Sequence, residues 1–494
     1  MPAPISDPLI TPVGRGDIFL KERSPRTERA YARIKFTMDD IMNYCTKTFL
    51  SIILCLLLSN SVIAQETISL KTAIQTALNR NSSVVKSNNS LGTYSVNLKS
   101  AYGNLLPNLN VSGGWNWQRV SNNQGTTQID YLGNAQDVSQ SETDSRNYNL
   151  SIGGNVTLFD GLSSFRQIDQ KKNELRGAQF DFEKLRQNTI LATVQLFIAV
   201  ANSEKLLQFQ EEDLKYNQDM LAKIKEMQNI KSATKIDVYA QEYQTANSKL
   251  AWIQAKNTNE KAKISLLTYL SMDVTKDYAF PLDSIQIPEP NNELSNLDSL
   301  YPSALNTRAD FQSQRLKLEN GELQLKISKS NLYPSLTGNY SLSTSAIQPK
   351  DLFSRKVYGV GLSLNVPVFS RWSTETSIET AQIQIQNANE ELKALRLQII
   401  GEIKSAAVDL NTAKLQREVS QSSLLYAKET WEMRKEKYTV GSATYVEQQQ
   451  SYRDYIQAVN NSIIAESNYL QQQFSFLNTL GMLNPENYYL NNQR

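Results

Sequence analysis

The side chains that could do chemistry are few, and they are not those of an enzyme. The 494-residue chain contains no histidine, which excludes Ser-His-Asp and Cys-His catalysis and any His-ligated metal site. Its carboxylates are spread through a Glu/Lys lattice at helical spacing, the pattern of solvated helix faces, and no isolated pair stands apart for acid–base work. No basic tract is present to hold nucleic acid. No catalytic, cofactor-binding or metal-ligating residue is therefore expected. What does recur is aromatic: Trp115, Trp117, Tyr148, Phe159, Tyr340, Tyr358, Phe369 and Trp372 cluster near the ends of four alternating segments. Rings so placed suit a lipid–water interface, where an apolar body meets a wet edge.

The elements that would position them are strands. From Tyr358 to Val368 the apolar residues Tyr358, Val360, Leu362, Leu364, Val366 and Val368 alternate with small or polar ones. That is period two, a strand with one greasy face and one wettable face. The same alternation predicts strands over 106–120, 147–159 and 335–344, with a long polar loop between the first two. A soluble half-buried sheet would alternate in the same way. Two features favour a membrane: the aromatic clusters at the strand ends, and the export signal described below.

After each second strand the period changes. From Arg371 to Tyr438 there is no proline, and apolar residues recur at steps of three and four through Leu392, Leu395, Ile399, Ile403, Ala406 and Leu410. About 68 residues of helix would span roughly 100 Å. Asp160-Gly161 opens a helix of the same length, ending near Gln228. Each long helix is followed by a short turn and a return helix, giving hairpins over 161–271 and 371–480. Tyr301 to Lys329 reads as one further helix.

The chain also resembles itself. Asn155–Phe159 aligns with Asn365–Phe369, Ser232–Thr234 with Ser442–Thr444, and Leu270–Met272 with Leu480–Met482, all at an offset of 210. Upstream, Ala77–Asn79 matches Ala304–Asn306 and Leu106-Pro107 matches Tyr333-Pro334, at an offset of 227. The expected plan is two repeats, 65–272 and 301–482, joined by a proline-containing linker over 273–300 and closed by a polar tail over 483–494.

Met42 to Ala64 reads as a secretory signal: Lys47, an apolar run from Phe49 to Leu58, then Val62-Ile63-Ala64. Residues 1–41 are either a start codon assigned too early or a disordered tail. Both cysteines, Cys45 and Cys55, fall inside the signal, so no disulfide is expected. Removing the leader leaves 43 basic and 43 acidic residues, a net charge near zero.

Four strands cannot close a barrel, since the smallest need about eight. An open edge in lipid strands backbone groups at several kcal/mol each. Copies must therefore join, and an even strand count puts all the long helices on one side of the membrane. Long helices with small residues (Ala406, Ala407, Ala413, Ala427) among Leu and Ile would pack as coiled-coil pairs into a tube.

The strand starters Leu106-Pro107-Asn108-Leu109 and Tyr333-Pro334-Ser335-Leu336 resemble those of the TolC family of outer-membrane efflux proteins. So do the joints Val156–Gly161 and Val366–Phe369, and the turn segment Tyr438–Glu447. The resemblance covers residues 66 to 483. It implies a mixed α/β, mostly helical membrane protein, a homotrimer with a 12-stranded barrel continued by an α-helical barrel into the periplasm. It also implies partners: a periplasmic adaptor and an inner-membrane pump, with the outer protein a passive duct in outer-membrane lipid.

The family's periplasmic gate falls here on Asp237, Tyr438, Gly441, Glu447 and Gln450. The resemblance implies a Tyr438–Asp237 contact between neighbouring hairpins, and a ring of Glu447 carboxylates favouring cations. Gly441 suits a turn needing positive φ. Its first-half counterpart is Lys231, so that turn is expected to differ. Where the family often carries a basic residue past the glycine, this chain has Ala443, which implies weaker resting closure. The rival reading is a trimeric envelope spacer or adhesin without a conducting lumen.

Overall fold

The computed structural model describes residues 66–121, 126–129, 131–133, 135–138, 142–281 and 297–483. Contacts divide the chain after Gln65, and every described residue lies in the second unit. The extension over 1–41, the signal over 42–64, most of the 273–300 linker and nearly all of the tail lie outside the described residues.

A short strand, β1 (Glu66–Thr67), precedes helices α1 (Leu70–Arg80) and α2 (Ser82–Gly103). Strand β2 (Asn110–Ser121) follows, then a small hairpin of β3 (Thr126–Ile129) and β4 (Ala135–Val138), then β5 (Glu142–Phe159). The first hairpin is α3 (Ser163–Asn229) and α4 (Lys235–Tyr269). Strand β6 (Tyr278–Ala279) pairs in parallel with β1. Helices α5 (Leu297–Thr307) and α6 (Ala309–Ser330) lead to β7 (Ser335–Ala346) and β8 (Lys356–Asn365). The second hairpin is α7 (Ser373–Thr439) and α8 (Tyr445–Thr479). Both long helices have 67 residues and both return helices 35.

The main sheet is antiparallel throughout, in the order β2-β5-β7-β8. Its register sorts the side chains by face. Val111, Ile152, Leu342 and Tyr358 form one row across all four strands, and Asn110, Gly153, Ser341 and Gly359 form the next. Because successive side chains point to opposite faces, one face is apolar and the other polar or bare. The apolar face is not covered by the chain's own helices: Val360 is 91% exposed and Leu362 71%.

The strand limits differ most from the periodicity in three places. Leu105 and Leu106 still belong to the turn closing α2, donating to Tyr102 O and Gly103 O, so β2 begins only at Asn110. The ladder of β2 and β5 runs on to Ser121 and Glu142, into what reads as polar loop, because polar residues on both faces leave no alternation to detect. Strand β8 stops at Asn365, two residues before Pro367, which has no N–H for a ladder.

The expected single helix Tyr301–Lys329 is broken at Arg308, whose ψ of 120° is extended. The core has two large apolar clusters and a small third one of Met220, Ile224 and Val238. One large cluster gathers Ile190, Val194, Phe197 and Ile198 of α3 with Leu266 and Leu270. The other gathers Ile399, Ile403, Ala406 and Leu410 of α7 with Phe476 and Leu480. The two large clusters lie where the short helices and the ends of the return helices meet the middle of a long helix.

Candidate functional site

Two regions carry the residues singled out by sequence: the sheet and the paired hairpin turns. Within the sheet, Trp115 lies directly opposite Tyr148, with ring centroids 6.4 Å apart. Trp117 is two residues further out on β2. Phe159 pairs with Leu336 at the opposite end of the sheet, beside the helices. Tyr340 and Tyr358 sit between these levels, and the Tyr340 hydroxyl donates to Asn108 O. That carbonyl so crowds Gly154 that a Cβ there would collide with it, so only glycine fits. Phe369 and Trp372 lie beyond β8 and pack edge to face at 5.7 Å. Trp372 is the N-cap of α7 with φ of 56°, a helix start in the left-handed region rather than a strand end.

The hairpin turns are alike in backbone. Ser232 N donates to Met227 O, as Ser442 N does to Lys437 O, each at 2.8 Å. Gly441 has φ of 76°, and Lys231, contrary to the expected difference, takes the same conformation with φ of 60°. A non-glycine residue there is strained by about 1 kcal/mol, held by the flanking helices.

Each return helix opens with a capping box. Asp237 Oδ2 accepts from Thr234 N at 2.8 Å, and Thr234 Oγ1 accepts from Asp237 N. Glu447 Oε2 accepts from Thr444 N at 2.9 Å, while its Oε1 accepts from Arg434 Nη1 at 3.2 Å. The Thr444 backbone N–H, then its hydroxyl, then Arg434 hold the Glu447 carboxyl below the usual carboxylate range. Glu447 is thus occupied by its own helix start and a cation. Gln450 donates to Asp454 and accepts from Arg453, all on the surface of α8.

Tyr438 packs with Met220, Ile224 and Val238, and its ring lies 6.3 Å from that of Tyr445. Burial first, and the Asp237 charge second, raise its pKa. The structure therefore brings Tyr438 and Asp237 into one neighbourhood within a single chain, with the recorded Asp237 hydrogen bonds going to Thr234.

The sequence reading missed a buried polar layer behind the turns, built from Asp213, Tyr216 and Asn217 of α3, Gln241 and Ser248 of α4, and Tyr445, Gln448, Gln449 and Tyr452 of α8. A signal existed. Positions 445, 448, 449 and 452 follow the i, i+3, i+4, i+7 rule of a packed face, occupied by Tyr and Gln instead of Leu. Among the described residues no group of three or more acidic, His or Cys side chains is placed to hold a metal.

A two-faced four-stranded sheet continued by helices of about 100 Å is the plan of an outer-membrane channel subunit. The family model for outer membrane efflux proteins matches residues 73–271 and 300–482, and the chain belongs to that family, whose members are transport ducts of the outer membrane. The pyoverdine export outer membrane protein OpmQ of Pseudomonas aeruginosa is 20% identical over 343 residues, 69% of each chain. The CmeC outer membrane channel of Campylobacter jejuni superposes with a TM-score of 0.70 at 16% identity, covering 84% of this chain and 85% of that one. The open-state MtrE channel of Neisseria gonorrhoeae gives 0.69 at 16% identity, covering 84% and 90%.

Proposed function

We propose that three copies of this chain form a passive duct through the outer membrane, passing cargo handed over by a periplasmic adaptor and an inner-membrane pump. The observation that carries this reading is the sheet. Its apolar face is bare, and the outer edges of β2 and β8 carry no further strand among the described residues. Strand β2 runs away from the helices and β8 back toward them, so β8 of one copy can pair with β2 of the next and keep the ladder antiparallel around a closed ring. Three copies give twelve strands. The levels of Phe159 and of the Trp115–Tyr148 pair are separated by ten residues of β7. Ten residues tilted at about 40° rise roughly 25 Å, the height of an outer-membrane apolar band. The matched helix lengths and matched turns support an internal duplication.

The gate reading extends to Asp237, Tyr438, Gly441, Glu447 and Gln450, set at or beside the hairpin turns. Conductance of the purified protein in planar bilayers tests the duct, with mass in detergent testing the trimer. Steady ion-conducting steps are expected; a trimer that never conducts would favour the spacer. The acidic ring has its own test. Because Arg434 and the helix cap already engage Glu447, Glu447→Gln is expected to reduce cation preference by less than about twofold. A larger loss in reversal-potential measurements would mean the carboxylate faces the pore free of both.

A further inference from the structure

The outer end of the sheet is uneven, and its charges are uneven with it. Strands β2 and β5 stay paired for six residues beyond the last rung shared with β7, from Asn116–Asn147 to Ser121–Glu142. At about 3.4 Å per residue, that ribbon runs roughly 20 Å along the strands past the row of Trp115, Tyr148 and Ala346. Alternation divides it between two faces. On the face continuous with the bare apolar one lie Trp117 opposite Arg146, then Arg119 opposite Asp144. On the other lie Asn116 opposite Asn147 and Gln118 opposite Ser145, with no charge among them. The cations of the ribbon thus stand only on the side that continues the apolar band.

Arg119 is answered within the chain, its Nε lying 3.9 Å from Asp144 Oδ1. Arg146 is exposed, in the row just outside the Trp115–Tyr148 pair, and has no carboxylate within ion-pair distance among the described residues. Lys356 is a second such cation. It opens β8 in the row of Gly113, Leu150 and Thr344, the next row inward from the aromatic pair on the same face, and is likewise exposed and unpaired among the described residues.

At a boundary between apolar surface and water, a long cationic side chain keeps its stem among apolar groups and extends its head to the polar side. Arg146 and Lys356 therefore both carry charge to the level of the aromatic rings, which is the level of lipid headgroups. A guanidinium meets a phosphate with two parallel hydrogen bonds, an ammonium as a point charge. Trp117 adds a further contact. It is 49% exposed and directly opposite Arg146, and its flat ring with one polar edge suits a sugar standing beside a phosphate.

We infer that Trp117 and Arg146, with Lys356 from the row below, form a docking surface for an outer-leaflet glycolipid whose headgroup sugar bears phosphate. The surface rests on the barrel of the duct reading, which turns this face toward lipid and this end of the sheet outward. Two unanswered cations in each copy supply the charge complementarity, and a neutral lipid gives them nothing to bind. The ribbon supplies the height, since a sugar extends a headgroup beyond its phosphate.

Thermal unfolding of the detergent-purified protein tests the surface, with a diphosphorylated, acylated glucosamine disaccharide as the probe. The dephosphorylated form of that lipid, phosphatidylglycerol and inorganic phosphate are the other arms. The phosphorylated glycolipid is expected to raise the unfolding midpoint and to bind roughly tenfold more tightly than each of the others. Arg146→Gln should weaken that binding about tenfold and Lys356→Gln about threefold. Ser145→Gln, on the opposite face, should leave it unchanged. Equal affinity for the dephosphorylated lipid or for inorganic phosphate would overturn the surface, as would unaltered binding in Arg146→Gln or an equal loss in Ser145→Gln. Phosphatidylglycerol bound as tightly as the glycolipid would overturn the sugar contact and the choice of lipid with it. If Arg146→Gln fails to assemble, Lys356→Gln still decides. Glycolipid binding by a protein that never conducts would keep the surface and remove the duct; conduction without lipid preference would keep the duct and remove the surface.

Discussion

Two corners of the molecule do the same job with different chemistry. Between α1 and α2 the chain bends at Asn81, whose Oδ1 accepts from Ser83 N and whose Nδ2 donates to Tyr269 O, near the end of α4. Between α5 and α6 it bends at Arg308, whose Nη1 donates to Thr479 O, at the end of α8. The positions correspond at the sequence offsets of 227 and 210. Arg308 adds what Asn81 cannot: contacts to Asp310 at 2.6 Å and Glu402 at 2.7 Å, with Lys184 3.6 Å from Asp310. Gly481 makes room for it, since a Cβ there would lie 3.1 Å from Arg308 Cγ. One corner is a neutral cap, the other an ion knot around a buried arginine. At Asn81 the side chain caps the helix that follows. At Arg308 it makes no cap bond, and Gln312 Nε2 takes the freed carbonyls of Leu305 and Asn306. A helix break therefore requires neither proline nor glycine.

The largest test of this contrast is Arg308→Ala. It leaves Glu402 without its ion-pair partner and Asp310 with Lys184 alone, both partly exposed, and is expected to destabilise by about 2–3 kcal/mol in urea titrations of the detergent-purified protein. Asn81→Ala loses a neutral cap and one hydrogen bond, and should cost about 1–2 kcal/mol. If the two losses are equal, the charges add nothing.

Acid separates the corners without mutation. Burial pushes the Asp310 carboxyl up, but the Arg308 hydrogen bond and the Lys184 charge override it and hold it below its ordinary value. The stabilisation is therefore complete above about pH 4, the unfolded carboxylate range, and is lost as pH falls through the lower folded value. Unfolding midpoints of Arg308→Ala should lose less on acidification from pH 5 to 3 than those of the parent, while Asn81→Ala should track the parent. The smallest effects belong to the turns: Lys231→Gly should stabilise by about 0.5–1 kcal/mol, and Gly441→Ala should destabilise by a similar amount. Opposite signs are the point of that pair.

What was legible in the sequence follows from periodicity. Strands with one greasy face, such as Tyr358–Leu364, and unbroken helical stripes, such as Leu392–Leu410, announce themselves because burial on one side imposes a repeat. The Arg308 break did not, because the apolar spacing continues on both sides of it and the cause is an ion knot with residues 94 and 171 positions away. The outer ends of β2 and β5 were hidden for the opposite reason: with both faces polar, nothing alternates. At the turns, Gly441 was readable from residue type, whereas Lys231 adopts the same φ through its neighbours. The layer around Asp213 was hidden because polar residues at packing positions look, one at a time, like a wet surface.

The bare face and two open margins of the sheet have a consequence for biogenesis. On the way to its destination a single copy is a sticky, incomplete template, as ready to zip onto a stranger as onto a sibling. On the proposed three-copy ring, the yield of finished pores should climb far more steeply than linearly with the rate at which new chains arrive. Scarcity, more than weak folding, would leave orphans to escorts and proteases.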